Sequence, residues 1–507
     1  MSAEITLTGL AANDPVPGNY GEIVFAQGPA SGGGSAYVLL LIGGMLAAGN
    51  AAYATVYGPG TPIQMATEQD AISLFGAGSE LHRMFRRVTL VNTTTPLYAI
   101  AVQEGTYAAQ STGTITFTGT ATGAATARVF VQDQYVDTGI STGDTPTVQA
   151  ANAAINVNSQ TRWPVTAAAV AGVLTLTAKQ KGLRSNFIRY FAQIKPSTSG
   201  VTVTPTISTL QSGGTVSDSA NQAAALATIL PFRYYYLVSA AEDATQLGAL
   251  LAQVNAQALP VSGITQRVFA GSQDTLANVT TIATGLNGAL AEIVWLAQSD
   301  APPCELAATQ AGIMALLEAS FPPRLNMDGV GNDSVTQGLW PIKAPLSGAA
   351  PTRAQIAAAL NSGISPIQVW PTGNTSLVSR ITTRSLNGAT VDYRTRDSSI
   401  VTILHLLWDY LKAQEVAQLS GKVIGQDPVA NSPDPAPNVC TPRVYRAVIV
   451  QVLSLFASNG MLQNLAQIIA GTQVQISGVS ATRMTALIPA QPVALLHQTA
   501  TSITQVS

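Results

Sequence analysis

The chain reads as an α/β protein: two halves of an α/β core separated by an inserted α+β domain, then a C-terminal α+β domain, with extended arms at both ends. Three observations predict this. Between 216 and 395, apolar strand-like runs alternate with Ala-rich helical segments, the pattern of a mostly parallel layer covered on both faces. Between 106 and 215 the texture changes to Thr, Gly and Ala, with strand signals and one helix. At both ends apolar residues alternate at period two, as in an exposed strand.

Taken in order, residues 1–30 form an N-terminal arm. Ile5 and Leu7 alternate with Glu4, Thr6 and Thr8, and Pro15, Pro17 and Gly18 force a turn. The first part of the core, 31–105, opens on SGGGS, whose Gly32, Gly33 and Gly34 make a flexible joint. An apolar strand follows near 37–42. Thr67 and Asp70 resemble a capping box, a second helix starts at Ser79, and TPLYAIAV at 95–102 is a buried strand. In the insert, 106–215, GTITFTG, RVFV, VLTLT and NFIRYF read as strands, and Thr145 followed by Pro146 opens the helix to 158.

The second part of the core, 216–395, carries YYYLVSA, QRVFAG and EIVWLAQ as strands. In the C-terminal domain, 396–490, a long helix places Ile400, Leu404, Leu407 and Leu411 on an apolar stripe, with Thr402, His405, Asp409 and Lys412 opposite. After a Pro-rich loop, Thr441 and Pro442 start a helix whose polar stripe, Gln451, Ser454 and Ser458, is thin enough to predict that it is largely buried. The last segment, 491–507, puts Val493, Leu495, His497, Thr499, Thr501, Ile503 and Gln505 on one face of a strand. Such a strand pairs either within its own domain or with another chain.

Composition excludes several classes. The 507 residues are too many for one core, so about two to four domains are expected. Only 10% of residues are charged and the net charge is -2, so repulsion between copies is weak and dense self-association is permitted. Direct nucleic-acid binding is not expected, because the one compact basic run is HRMFRR at 82–87. Cys304 and Cys440 form no framework. The N-terminus has no signal-peptide pattern, and the longest apolar run, 36–47, is too short for membrane insertion, which needs roughly 20 residues.

Chemistry is equally sparse. His82, beside Arg83, suits a solvated helix face, His405 lies on a polar stripe and His497 lies in the terminal strand; none has a second ligand at metal spacing or a nucleophile motif nearby. No phosphate loop, nucleophile elbow or dinucleotide loop occurs, so no cofactor, metal or catalytic residue is assigned. Glu242 with Asp243, and Asp397 beside Arg396, read as surface charges and a helix cap.

Several stretches together resemble the contractile tail sheath proteins of bacteriophages, in the Mu-like branch. They are VPGNYGEI, FGAGSELHRMFR at 75–86, the insert's PVTAAAVAGVLTLTAKQKG, and ALNSGISPIQVWPTGNTSLVSRITTRSLNGATVDYRTRD at 359–397. CTPRVYRAVIVQVLSLFASNGMLQN and SATRMTALIPAQPVALLHQTATSITQV complete the pattern. The resemblance implies a subtilisin-like α/β core without protease activity, an outward-facing insert and a C-terminal domain facing the tail tube. Since 216–395 holds no histidine, a working Ser-His-Asp triad is not expected there.

The resemblance further implies a virion tail component, assembled in the host cytoplasm, whose partners are its own copies, the tail tube, the baseplate and the tail terminator or neck proteins. It polymerises helically and contracts to drive the tube through the host envelope. The arms, through Ile5, Leu7 and the period-two face from Val493 to Gln505, would link neighbours by strand addition. Pro15 to Gly18 and the glycines at 32–34 would be hinges, and Asp409, Lys412 and Lys422 tube contacts. The alternatives are a sheath of a phage-derived bacteriocin or secretion machine and, in another class, an α/β serine hydrolase.

Overall fold

The structure is a computed structural model and describes residues 38–47, 49, 61–104, 109–205, 207–213, 219–230, 232–320, 341–388, 390–392, 394–429 and 436–493. The first part of the core contributes β1 (Leu39–Gly44), β2 (Ile63–Gln64), α1 (Glu68–Phe75), α2 (Glu80–Val91) and β3 (Leu97–Val102). The capping box at α1 forms as expected: Thr67 Oγ1 accepts from the Asp70 N–H and the Asp70 carboxylate accepts from the Thr67 N–H. Ser79 caps α2 through the His82 N–H.

The insert contains β4 (Gln110–Thr118), β5 (Ala125–Val131), β6 (Gln134–Ile140), α3 (Pro146–Ser159), β7 (Val165–Val170), β8 (Val173–Lys181), β9 (Arg189–Lys195), β10 (Thr202–Thr204) and β11 (Ser208–Thr209). They form two antiparallel sheets, β10-β4-β8-β7 and β11-β9-β5-β6, around a core shared with α3. The edge of β7 is blunted by α3, because the Asn158 amide both donates to the Ala167 carbonyl and accepts from its N–H, each at 2.8 Å. Strands β6 and β7 were not expected from the sequence. Their turns use Gln132 at φ 59° and Ala171–Gly172 at φ 50° and 85°, left-handed conformations without the Asn-Gly signal of a tight hairpin. The run at 186–191 also differs: Leu183–Phe187 is a 3-10 turn and the strand begins at Arg189.

The chain then returns through α4 (Ser219–Ile229), β12 (Tyr236–Ser239), α5 (Ala244–Gln257), β13 (Arg267–Ser272), α6 (Leu276–Leu286), β14 (Ala291–Trp295), α7 (Pro303–Ser320), α8 (Arg353–Asn361), β15 (Ser365–Val369) and β16 (Thr375–Leu377). One sheet of order β16-β15-β14-β13-β12-β1-β3-β2 joins both parts of the core. Its six inner strands are parallel and the strand at each edge is antiparallel. Alternation along β1 explains the two covered faces: Leu39 and Leu41 pack with Met84, Leu306 and Ala307 of α2 and α7, while Leu40 and Ile42 pack with Leu226 and Leu250 of α4 and α5.

The C-terminal part comprises α9 (Ser398–Leu419), α10 (Pro442–Ser458), α11 (Leu465–Gly471) and the two-stranded sheet β17 (Gln473–Ile476) with β18 (Met484–Leu487). Two expectations for its helices need correction. Thr402 and His405 of α9 are buried, because that side of the helix lies against the core rather than solvent. Helix α10 is amphipathic rather than largely buried: Val448, Ile449, Val452, Leu453 and Phe456 are inside, while Arg443, Ala447, Gln451, Leu455 and Ser458 are exposed.

Candidate functional site

Most of the expected linking positions, Ile5, Leu7, Leu495, His497, Thr499, Thr501, Ile503 and Gln505, lie outside the described residues, as do the hinges Pro15, Pro17, Gly18, Gly32, Gly33 and Gly34. Val493 is described and half-buried. The chain reaches it along the corner between α10 and α11, where Leu462 bridges Pro492, the Gln463 N–H donates to the Gln491 carbonyl at 2.9 Å, and Asn464 Nδ2 donates to Gln491 Oε1 at 2.9 Å. The same helices support the β17–β18 pair, where Val474 and Ala486 pack against the core. Among the described residues no third strand pairs with this sheet.

The three proposed tube-contact residues are not grouped together. Asp409 is held by Arg233 Nη2 at 2.6 Å and by Lys412 at 3.4 Å; Lys412 also donates to the Gly263 carbonyl at 3.4 Å and stands over the Trp408 ring at 5.2 Å. Asp409 and Lys412 thus fasten α9 to the core. Lys422 is half-buried in the turn beyond the end of that helix.

Helix α2 corrects the reading of His82 as lying on a solvated helix face. His82 is fully buried: Nδ1 accepts the Gly78 N–H at 3.0 Å, which leaves Nε2 to donate to Glu68 Oε1 at 3.0 Å. Burial lowers its pKa although Glu68 opposes the shift. Arg83 and Arg87 meet Glu305 of α7 at 3.2 and 2.6 Å, and Arg87 also meets Asp133 of the insert at 2.6 Å. Arg189 of the insert pairs with Asp300 at 3.1 Å. The Arg87–Asp133 and Arg189–Asp300 pairs dock the insert onto the core.

The parallel sheet has a switch point between β1 and β12, the place where open α/β sheets commonly take ligands. Here the insert fills it. A Cβ on Gly44 would fall 1.4 Å from Gln180 Nε2, the Gly44 N–H donates to Glu80 Oε2 at 2.8 Å, and Arg184 pairs with Glu80 at 3.3 Å. Near this point both Glu242 carboxylate oxygens are shut from solvent without a hydrogen-bond partner. Burial first, then Asp274 and Asp243, pushes the Glu242 pKa well up. Asp243 itself caps α5 through the Gln246 N–H.

A second ion-pair network was missed by sequence reasoning. Arg267 of β13 contacts Glu292 of β14 and, at 2.9 Å, Glu318 of α7; Arg380 also pairs with Glu318. Tyr236 donates to Glu318 Oε2 at 2.5 Å, Thr402 of α9 to Oε1 at 3.0 Å, and Gln310 Nε2 to Glu292 at 3.0 Å. Burial would raise the Glu318 pKa, but Arg380 and Arg267 outweigh it and hold the group ionised. The available signal was a single charge inside each apolar run, in QRVFAG, EIVWLAQ and ALLEAS.

The rest of RITTR stitches the same joint: Thr382 Oγ1 donates to the Thr395 carbonyl at 2.7 Å, Thr383 Oγ1 to the Gly288 carbonyl at 3.0 Å, and Arg384 to Asp392 at 2.9 Å. His405 Nδ1 meets the Tyr235 hydroxyl at 3.1 Å, and burial, with Arg267, Arg233 and Lys412, keeps its pKa well below the usual value. Neither described histidine ring bonds a serine hydroxyl. Among the described residues there is no group of three or more His, Cys, Asp and Glu side chains suited to a metal ion, and no helix is long and apolar enough to cross a membrane.

No family model matches the chain. Over 293 residues it is 26% identical to the Mu-like prophage FluMu tail sheath protein of Haemophilus influenzae, a match spanning 56% of this chain and 57% of that protein. The chain resembles the Mu-like tail sheath proteins. It matches little more than half the length of that relative. Among solved structures, the sheath tail protein of Desulfitobacterium hafniense aligns with 93% of this sheath-like chain and 99% of its own, at 12% identity and a TM-score of 0.45. The sheath tail protein of Listeria innocua covers 92% and 93% of the two chains, at 10% identity and 0.47. The helical sheath of the anti-feeding prophage in its contracted state covers 97% and 99%, at 11% identity and 0.47.

Proposed function

We infer that the chain is the structural subunit of a contractile phage tail sheath, located in the virion tail after assembly in the host cytoplasm. The observation that carries this reading is the sequence likeness to a Mu-like prophage tail sheath protein over 293 residues. Copies polymerise helically around a tail tube and pass from an extended to a shorter lattice, moving as rigid bodies and driving the tube through the host envelope. Tube, baseplate and tail terminator or neck proteins are the partners. Residues 31–105 and 216–395 form a core of subtilisin-like type, 106–215 faces outward, and 396–490 faces the tube, with Asp409, Lys412 and Lys422 as the proposed contacts. Segments 1–30 and 491–507 tie neighbours together about the hinges at 15–18 and 32–34.

Two features support the linkage. The β17–β18 sheet lies beside the corner along which the chain reaches Val493. Strand addition there uses main-chain hydrogen bonds for affinity and alternating side chains for register. The buried Glu305 and Glu318 networks make each copy a unit that can rotate without deforming. Deleting 492–507 is expected to leave a folded subunit that forms no long polymer by negative-stain electron microscopy. Normal long sheaths from that variant would end the linkage reading.

A further inference from the structure

The carboxyl ends of three neighbouring parallel strands meet one stretch of the insert. At β1, a Cβ on Gly44 would fall 1.4 Å from Gln180 Nε2. The continuation of β12 lies beside that point, with the Ala240 N–H donating to the Ile42 carbonyl at 2.8 Å. Just beyond β13, Gln273 Nε2 donates to the Phe187 carbonyl at 2.8 Å. Gln180 Oε1 accepts from the Glu80 N–H at 3.2 Å, and Lys179 Nζ donates to the Ala77 carbonyl at 3.3 Å. Residues 179–187 thereby close this end of the sheet.

Glu242 stands in the loop that follows β12, just past Ala240. Both of its carboxylate oxygens are closed off from solvent, and neither has a hydrogen-bond partner. The charged groups that face it are Asp274 after β13, Asp243 on its own loop, Arg184 of the insert's 3-10 turn and Glu80 at the start of α2. The one guanidinium among them is already paired with Glu80 at 3.3 Å. An ionised carboxylate at this seam has like charges around it and no donor, whereas a neutral carboxyl escapes the repulsion.

We propose that Glu242 is a proton-operated latch on the insert: with its carboxyl protonated the 179–187 edge stays seated on the strand ends, and when the proton passes to solvent that edge lifts and admits water to the carboxylate. The insert keeps its shape as this happens, because its two sheets and α3 share a core of their own. Once the edge is open, Glu242 titrates as an ordinary carboxyl near 4.5. In the closed state burial, then Asp274 and Asp243, raise its pKa well above that value while Arg184 opposes them. The closed state is therefore fully favoured below about pH 4.5, and above it the open fraction grows by up to about tenfold per pH unit until the closed-state pKa is passed. The latch lies within one subunit and does not depend on polymerisation.

Hydrogen exchange in the full chain, corrected for the base-catalysed chemical rate, tests this at the Glu80 N–H, a first-turn helix donor whose partner is the Gln180 side chain of the insert. From about pH 5 to about pH 7 its protection should fall at least tenfold in the parent and change less than about twofold in Glu242→Gln, a neutral variant of the same shape. Amides of the β4–β8 ladder, inside the insert, should keep their protection in both proteins. Glu80 protection that is flat with pH in the parent, or that falls equally in Glu242→Gln, would overturn the proposal. So would an equal fall along β4 and β8, since the chain would then be unfolding the insert rather than lifting its edge.

Discussion

Glu318 shows how much depends on one side chain in a protein with so few charges. It is fully buried among Arg267, Arg380, Thr402 and Tyr236, and with Glu292 it balances the two guanidinium groups. Glu318→Gln keeps the shape but strands a buried positive charge, so a loss of about 3–5 kcal/mol is expected in urea denaturation. Adding Arg380→Met should recover part of it by restoring neutrality, and a cost under about 1 kcal/mol for Glu318→Gln would mean the network carries little. Glu242 behaves in the opposite sense. Its folded pKa lies well above the ordinary value of 4.5, so the stability held by its neutral form is complete below that pH and is lost as pH rises toward the folded pKa. Glu242→Gln cannot ionise. The variant and parent should therefore match near pH 4, with the variant increasingly more stable toward pH 8; a difference independent of pH would remove the burial argument.

At the scale of elements, what could be read in advance depended on whether the signal was local. The Thr67 and Ser79 caps, the Pro146 and Pro442 helix starts, and the buried parallel strands were all legible, because capping and hydrophobic patterning act within a few residues. Strands β6 and β7 were not, because their turns adopt left-handed backbone with Gln132 and Ala171. Nor was the burial of Thr402 legible, since its partner, Glu318 of α7, lies far back along the chain. Gly271 in β13 is another such case. A Cβ there would lie 2.2 Å from the Pro303 carbonyl oxygen and 2.9 Å from Leu306 Cβ, so the strand and the start of α7 can touch only at a glycine. Because backbone cannot swing aside like a flexible side chain, Gly271→Ala should cost about 3 kcal/mol, seen as a lower midpoint of thermal unfolding. An unchanged midpoint would show that α7 can slide on the sheet.

For the whole molecule, the scarcity of charge and the use made of it lead to a prediction about assembly. Only 10% of residues are charged, and many of those described are spent inside the subunit, on the Glu305 and Glu318 networks and on the Arg233–Asp409 and Arg384–Asp392 pairs. If copies assemble as proposed, the surfaces between them rely mainly on main-chain pairing and apolar contact, neither of which is screened by ions over the Debye length of roughly 3–10 Å found at molar to 0.1 M salt. The net charge of -2 also leaves little mutual repulsion for salt to relieve. If strand addition at β17–β18 joins the copies, the yield of sedimentable polymer should change less than about twofold between low and high sodium chloride. Substituting proline in β18 should abolish that yield at every salt concentration, because proline removes a ladder donor whatever the ionic strength. A polymer that dissolves steeply as salt rises, and tolerates proline in β18, would transfer the connection from main-chain pairing to charged side chains.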